Sequence, residues 1–353
     1  MKKEQQLLEG FSPSPKDMIQ VALDMPLERK IEKAIAVLKQ YEGEALKLFS
    51  GGYWCCNSFG KDSGCIVELC KMADVKHECH HNLTTIDPPE LIQFGKKHHK
   101  ETVIDRSDRG HLILDAMPKK ATPPTRAGRW CCEVYKEHGG DGKVKVIGVR
   151  IEESARRAGL WKIVNKNIRG GLIVAPIAYW TEKDVWDFHK LRGLPYCSLY
   201  DEGFKRLGCV GCPLAGPKGQ AHEFKRWPRF EKLWRMGFEK MWNENHGKPR
   251  ETARICEFTA DGKHPLNGIK KGEFIEEYGE QAYFDVRDGE LDNPRIFDSG
   301  YLSGKLIGAS RQRFFEKFRN ADAFFDWWVS GGKWDDESGD DAGCVFDEMM
   351  RNV

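Results

Sequence analysis

The chain has 353 residues, 40% hydrophobic and 31% charged, with a formal net charge of +2. This is the composition of a globular protein with one large core or two modest ones, and no apolar run approaches the roughly 20 residues of a membrane span. A balance so near neutrality excludes a whole-molecule electrostatic argument for nucleic-acid binding and leaves only a local basic face open.

The opening Met1-Lys2-Lys3-Glu4-Gln5-Gln6 lacks the apolar core of a signal peptide, so a cytoplasmic location is expected. Residues 27–49 then read as an amphipathic helix, with Leu27, Ile31, Ala34, Leu38 and Tyr41 at helical spacing. Tyr53 to Cys56 reads as a first strand, and Gly64 to Met72 as a helix after a short polar turn. Glu78–Leu83 reads as a second strand. Asp87 is a candidate N-cap for the next helix, with Pro88 at its first position and Glu90 closing a capping box. Thr102–Ile104, Val144–Ile147 and Leu172–Ala175 read as further strands, and Thr181-Glu182-Lys183-Asp184 starts another helix. Strands alternating with helices predict an α/β fold, Rossmann-like, with a mostly parallel sheet and helices on both faces.

After about Pro213 the chain changes character. Trp227, Phe230, Trp234, Phe238 and Trp242 are interleaved with Lys and Arg, which reads as a mainly helical C-terminal region. Asn293–Gly308 reads as loops, Ala321–Val329 as an apolar helix and Asp335 to Asp341 as an acidic tail. The expected organisation is an N-terminal helical segment (1–50), an α/β nucleotide-binding domain (51–215) and a helical accessory region (216–353).

The run Ser58-Phe59-Gly60-Lys61-Asp62-Ser63 lies between the first strand and its helix. The first N–H groups of a helix have no internal partner and its dipole favours an anion there. Gly60 allows close approach, Lys61 adds a full charge, and Ser58 and Ser63 add hydroxyl donors. These groups suit a phosphate or pyrophosphate. Ser58, Thr84 and Arg150 all fall just past strand ends, where ligands bind in such folds. A Walker A loop is disfavoured, because Cys55 stands where that pattern needs Gly.

The same run resembles the Ser-Gly-Gly-Lys-Asp-Ser loop of the PP-loop adenine-nucleotide alpha hydrolases. Phe59 replaces a Gly and must avoid positive φ or accept strain. Gly148-Val149-Arg150-Ile151-Glu152-Glu153-Ser154-Ala155-Arg156-Arg157 resembles a second signature of the phosphoadenosine-phosphosulfate (PAPS) reductase family. Trp180 to Trp186 and Leu194 to Phe204 resemble the same family, so the likeness covers roughly residues 50–215. It implies that Ser58, Gly60, Lys61, Asp62 and Ser63 hold the phosphates of ATP or an adenylyl-sulfate. It further implies that Thr84 and Thr85 contact the adenosine, and that Gly148 and Arg150 approach the nucleotide. Arg156 or Arg157 would stabilise charge on a leaving pyrophosphate or sulfite. The alternative for these arginines is surface salt bridging with Glu152 and Glu153.

Twelve cysteines in a reducing compartment are poorly explained by disulfides. Cys131-Cys132 and Cys209-Val210-Gly211-Cys212 form the one constellation with metal-ligand spacing. A tandem pair strains a single zinc ion and suits the wider corners of an iron–sulfur cube. The same pattern resembles the [4Fe–4S] motif of adenylyl-sulfate reductases, with zinc and plain thiols as the alternatives. Arg126, Arg129 and Lys136 nearby would offset cluster charge, bind an anion or line a solvated loop. Cys55, Cys56, Cys65, Cys70 and Cys79 read as small buried hydrophobes.

Two reactions share this site. In the first, attack at the α-phosphorus of ATP releases pyrophosphate, with Mg²⁺ bridging the phosphates and Asp62 as a candidate to hold it, and the adenylated acceptor then takes sulfur. This resembles the sulfur-transfer enzymes of DNA phosphorothioation and tRNA thiolation. It implies a sulfur donor such as a cysteine desulfurase, and the C-terminal region from Lys225 to Arg250 as a nucleic-acid contact unless its aromatics pack inward. The second is reduction of adenylyl-sulfate or PAPS to sulfite. The reductases use a C-terminal Glu-Cys-Gly-Leu/Ile-His segment, and this chain has only Cys344, beside acids that would raise a thiol pKa. A non-catalytic nucleotide- and cluster-sensing adaptor is the third reading. A homo-oligomer is expected, and no membrane partner.

Overall fold

The computed structural model describes residues 15–126, 128–137, 139–154, 157, 162–167, 169–246, 315 and 317–332. They divide into two compact units. One comprises Met1–Ser107 with Tyr135–Cys209, the other Asp108–Val134 with Val210–Val353.

The first unit is built on six strands: β1 Tyr53–Cys56, β2 His77–Leu83, β3 Val103–Arg106, β4 Lys145–Val146, β5 Val164–Lys166 and β6 Leu172–Val174. Their order is β3-β2-β1-β4-β6-β5. All neighbours are parallel except β5, which pairs antiparallel with β6. The register sets Cys55 against Cys79 on one side and Val146 on the other. This is the expected Rossmann-like sheet. The chain leaves β1 towards β2 and β3 on one side, then crosses to β4 on the other. The crevice beyond the ends of β1 and β4 is therefore the topological switch point, where open α/β sheets bind ligands. Strand β5 was not expected from the sequence, because Val-Asn-Lys is too short to show a period.

The helix Leu27–Leu48 buries Ile31, Ala34, Leu38 and Ala45, the apolar stripe its spacing demanded. Its Lys30 is also buried, held by Asp184 at 2.5 Å and by the Leu23 carbonyl at 2.6 Å. Tyr53, Ile66, Leu69, Val146, Trp180 and Phe188 belong to the same core. Cys55, Cys65, Cys70 and Cys79 are buried in it, as expected of small hydrophobes. The helix Glu182–Arg192 carries the capping box read from its sequence. Thr181 Oγ1 accepts from the Asp184 N–H, and the Asp184 carboxylate accepts from the Thr181 N–H.

Two helix starts differ from expectation. The helix after β1 spans Lys61–Met72 and begins three residues early, with Gly60 as its N-cap. Lys61, Asp62 and Ser63 are thus its first turn, and only Ser58–Gly60 form the loop. The helix after β2 spans Pro89–His98, with Pro88 at the N-cap and no side-chain cap. Asp87 turns back and accepts from the Thr84 N–H at 2.8 Å. That bond consumes the carboxylate that was expected to cap the helix.

Among its described residues the second unit is mainly helical. It contains Met117–Lys120, Gly216–Arg226, Pro228–Asn245 and Ala321–Val329. Its aromatics point inward: Trp234 and Phe238 are fully buried, with Trp328 4.6 Å from Trp234 and Phe324 5.1 Å from Phe238. The indole N–H groups are satisfied, Trp234 by the Val210 carbonyl and Trp328 by the Pro124 carbonyl. No helix among the described residues is long and apolar enough to cross a membrane. The readings for Arg156, Cys344, Asn293–Gly308 and the acidic tail lie outside the described residues.

Candidate functional site

Strand β1 ends at Cys56, and the chain turns through Ser58, Phe59 and Gly60 into the helix. Phe59 adopts φ +61°. A non-glycine residue there costs about 1–2 kcal/mol. The ring repays that strain by burial, 2% exposed and stacked on the His81 ring at 4.1 Å, with His99 at 5.8 Å. Burying such a ring is worth about 1.5–3 kcal/mol, so burial wins. The turn keeps the left-handed geometry that glycine would give, and Phe59 anchors it from behind. Burial also holds the His81 and His99 imidazoles below the ordinary histidine pKa.

The mouth of this turn opens on a cavity of about 510 Å³. Ser58, Gly60, Lys61, Asp62, Ser63, Gly148, Arg150 and Arg157, all sequence candidates, line it. The loop hydroxyls are linked: Ser58 Oγ donates to Ser63 Oγ at 3.2 Å, and Ser63 Oγ donates to the Gly60 carbonyl at 2.9 Å. Gly148, just past β4, comes so close to the helix start that a Cβ there would lie 3.0 Å from the Asp62 carbonyl carbon and oxygen. Glycine lets the two switch-point segments meet this closely without displacing either.

Asp62 organises the cations. Its Oδ1 accepts from Arg150 Nε at 2.6 Å and its Oδ2 from Lys61 Nζ at 3.1 Å. Arg150 also donates from Nη1 to Glu152 at 2.6 Å. Arg150 and Lys61 are nearly buried, at 4% and 5% exposure. Burial opposes the Arg150 charge, but Asp62 outweighs it and keeps the guanidinium above its ordinary pKa. Arg157 pairs with Glu153 and also lines the cavity.

Magnesium fits this arrangement poorly at Asp62. Both carboxylate oxygens are held by cations, which repel a second positive centre. No step is assigned to the metal.

A smaller cavity of about 130 Å³ shares Cys56, Ser58, Lys136 and Leu207 with the larger one. Trp54, His80, His81 and Thr84 line it. Of the two threonines expected to contact the adenosine, Thr84 lines this smaller cavity and Thr85, at φ +67°, lines neither. Cys56 departs from the expected buried thiol, being half-buried and lining both cavities. Burial, partly countered by Lys145, pushes its thiol up to about 11. Tyr200, Lys205, Arg206 and Lys136 also line the larger cavity. Lys136 and the run Leu194 to Phe204 that holds Tyr200 were singled out in the sequence, whereas Lys205 and Arg206 were not, and their adjacent charges just ahead of Cys209 were the signal that could have found them.

The four metal-candidate cysteines line neither cavity. Cys131 and Cys132 lie on the short helix Trp130–Tyr135, and Arg129 Nη2 donates to Cys132 Sγ at 3.4 Å. Gly211, at φ +78°, makes the tight turn before Cys212, and its N–H donates to Glu223 at 2.6 Å. Burial pushes the Glu223 carboxyl up to about 7. Cys209 Sγ donates to Thr84 Oγ1 at 3.4 Å. The thiols have the right chemistry for a cluster. Among the described residues, however, no three His, Cys, Asp or Glu side chains gather to hold a metal ion. No step is routed through a cluster.

Residues 52–215 match the family model described as the phosphoadenosine phosphosulfate reductase domain. An adenosine 5'-phosphosulfate reductase of Staphylococcus haemolyticus is 33% identical over 151 residues, 40% of this chain and 61% of the relative. An uncharacterized protein of Escherichia phage 186 is 32% identical over 133 residues, 34% of this chain and 40% of the relative. The chain therefore spans less than two thirds of the length of either. A solved PAPS reductase from Candida auris, in a phosphate complex, is 12% identical with a TM-score of 0.38. It covers 56% of this chain and 97% of that one, and at that score it carries no weight. The loop, the switch-point cavity and the match to the phosphoadenosine phosphosulfate reductase domain model coincide on one stretch of sequence, residues 52–215.

Proposed function

We propose that this domain binds an adenine nucleotide with its anionic end on the Ser58–Ser63 turn and catalyses its cleavage at the α-phosphorus in a sulfur-transfer reaction. The observation that carries the reading is the convergence of the turn, Lys61 and Arg150 on one 510 Å³ cavity at the switch point. In this reading Ser58, Ser63 and the helix N–H groups grip the phosphates. Thr84 faces the adenosine from the smaller cavity. Lys61 and Arg150 stabilise the charge that develops on the leaving pyrophosphate, an electrostatic contribution, and Arg157 extends that field. Asp62, held between two cations, works by fixing their positions. It is no general base, since it has no proton-accepting role left that would not break an ion pair. Magnesium, if used, arrives on the phosphates.

A nucleic acid is the acceptor class of this proposal. With Trp234 and Phe238 buried, base stacking on them is unsupported. Lys225, Arg229 and Lys232 remain exposed for phosphate contact, which keeps a nucleic-acid acceptor in the proposal. A cysteine-desulfurase-type donor and a homo-oligomer belong to the same reading. The cysteine pattern supports a [4Fe–4S] cluster on Cys131, Cys132, Cys209 and Cys212, independently of the steps above. Anaerobic purification with iron and acid-labile sulfide analysis tests it, and a zinc-loaded, iron-free protein would refute it.

Reduction of adenylyl-sulfate or PAPS is the second reading, favoured by the name of the Staphylococcus relative. Pyrophosphate release from ATP, measured beside sulfite release from both adenylyl-sulfates, separates the two. Pyrophosphate without sulfite is expected, and sulfite with intact ATP would sink the first reading. Binding of nucleotide with neither product would leave the sensing adaptor.

A further inference from the structure

Tyr200 closes the larger cavity beside Ser58, Gly60 and Ser63. Its phenolic oxygen accepts from the Lys61 N–H at 3.0 Å. That N–H belongs to the first residue of the helix and is a donor that an anion would otherwise take. A Cβ on Gly60 would lie 3.3 Å from the same oxygen, so the turn has been left just open enough for the phenol. Trp186 meets the Tyr200 ring edge-on at 5.2 Å and Tyr196 at 6.4 Å, and Lys61 Nζ stands 5.6 Å from its centre. The ring is therefore held in place from several sides.

A phenol oxygen that accepts one hydrogen bond still has its own proton to give. Burial, above all, holds this phenol well above its ordinary pKa, so the proton stays on.

We propose that Tyr200 is a ligand-binding residue for the anionic end of the nucleotide, its hydroxyl accepting from the Lys61 N–H and donating to a phosphate or sulfate oxygen seated on the turn. This rests on the nucleotide reading above. The chain N–H···O–H···O–P carries the positive end of the helix one hydroxyl further into the cavity, and each bond polarises the next. A residue that merely capped the helix would need only its acceptor oxygen and would be indifferent to what the cavity holds.

The test is calorimetric binding to the full chain, wild type and Tyr200→Phe, with ATP, inorganic pyrophosphate and adenosine as probes. ATP and pyrophosphate should bind about tenfold more weakly to the variant, the scale of one lost hydrogen bond to a charged group. Adenosine should bind within about twofold of wild type. Equal ATP and pyrophosphate affinities in the two proteins would overturn the proposal, as would an adenosine loss as large as the ATP loss. If Tyr200→Phe does not fold, 3-fluorotyrosine placed at 200 replaces it. Its ¹⁹F resonance should shift with ATP and pyrophosphate and not with adenosine, and the reverse pattern or no shift refutes the role. Pyrophosphate binding that depends on Tyr200, without any nucleotide binding, would keep this proposal and remove the nucleotide reading. ATP binding indifferent to Tyr200 would do the opposite.

Discussion

Phe59 is a residue whose backbone and side chain pull in opposite directions. Restoring glycine, as in the related loops, would relieve φ +61° but remove a ring that is 98% buried. Losing a buried Phe costs about 3–5 kcal/mol, and relief of the backbone returns about 1–2. Phe59→Gly should therefore lower unfolding stability by about 1–4 kcal/mol in denaturant titration, and a stabilised variant would refute the packing account. The two imidazoles around the ring give a pH dependence with a definite sign. Burial depresses His81 and His99 below the unfolded value near 6.5. Their contribution to stability is full above pH 6.5 and is lost as pH falls from there through the folded values. Proton NMR should place both midpoints below 6.5, and titration at or above it would contradict their burial. The sequence made Phe59 legible as an anomaly but not as an anchor. Its partners sit 22 and 40 residues later, on elements whose approach only the fold determines.

At the scale of elements, the site depends on how closely the end of β4 meets the start of the helix Lys61–Met72. Gly148→Ala would press a methyl group against the Asp62 peptide at 3.0 Å. Over-packing of this kind costs about 1–3 kcal/mol. Because the displaced atoms belong to the binding turn, ATP affinity should fall about tenfold or more in equilibrium binding, with the rest of the sheet intact. Unchanged affinity would mean that Gly148 is tolerated rather than required. Most of these elements could be read from sequence because each obeyed one local rule, such as the stripe on 27–48, the box at Thr181 and Asp184, or the apolar run of β1. The helix starts at Lys61 and Pro89 could not, because a distant partner decided the first and a competing local bond the second. Asp87 answers to Thr84, and the Lys61 N–H is met by Tyr200, 139 residues away.

For the whole molecule, the site and the aromatic core fall in different units. A nucleotide that binds only the folded first unit raises its unfolding free energy by about 2.7 kcal/mol at a hundredfold excess over Kd. Followed by hydrogen exchange, ATP should protect the amides of β1, β4 and the helix Lys61–Met72 and leave the core around Trp234 and Phe324 unchanged. Equal protection of both units would show that they unfold together. The family resemblance was legible in the sequence through ordered motifs along one stretch.

The second unit is assembled from two separated stretches, and Gly237 sits where any side chain would strike Ile113 and approach Met117. Ile113 and Met117 are fully buried in the finished protein. On the ribosome, they emerge roughly 100 residues before the helix Pro228–Asn245 that covers them. At about 5–20 residues per second this is an interval of about 5–20 s. During that time the first unit can complete its sheet around an unfinished excursion, while Ile113 and Met117 await their cover. A nascent chain arrested before Pro228 thus leaves Ile113 and Met117 without the cover that this helix gives them.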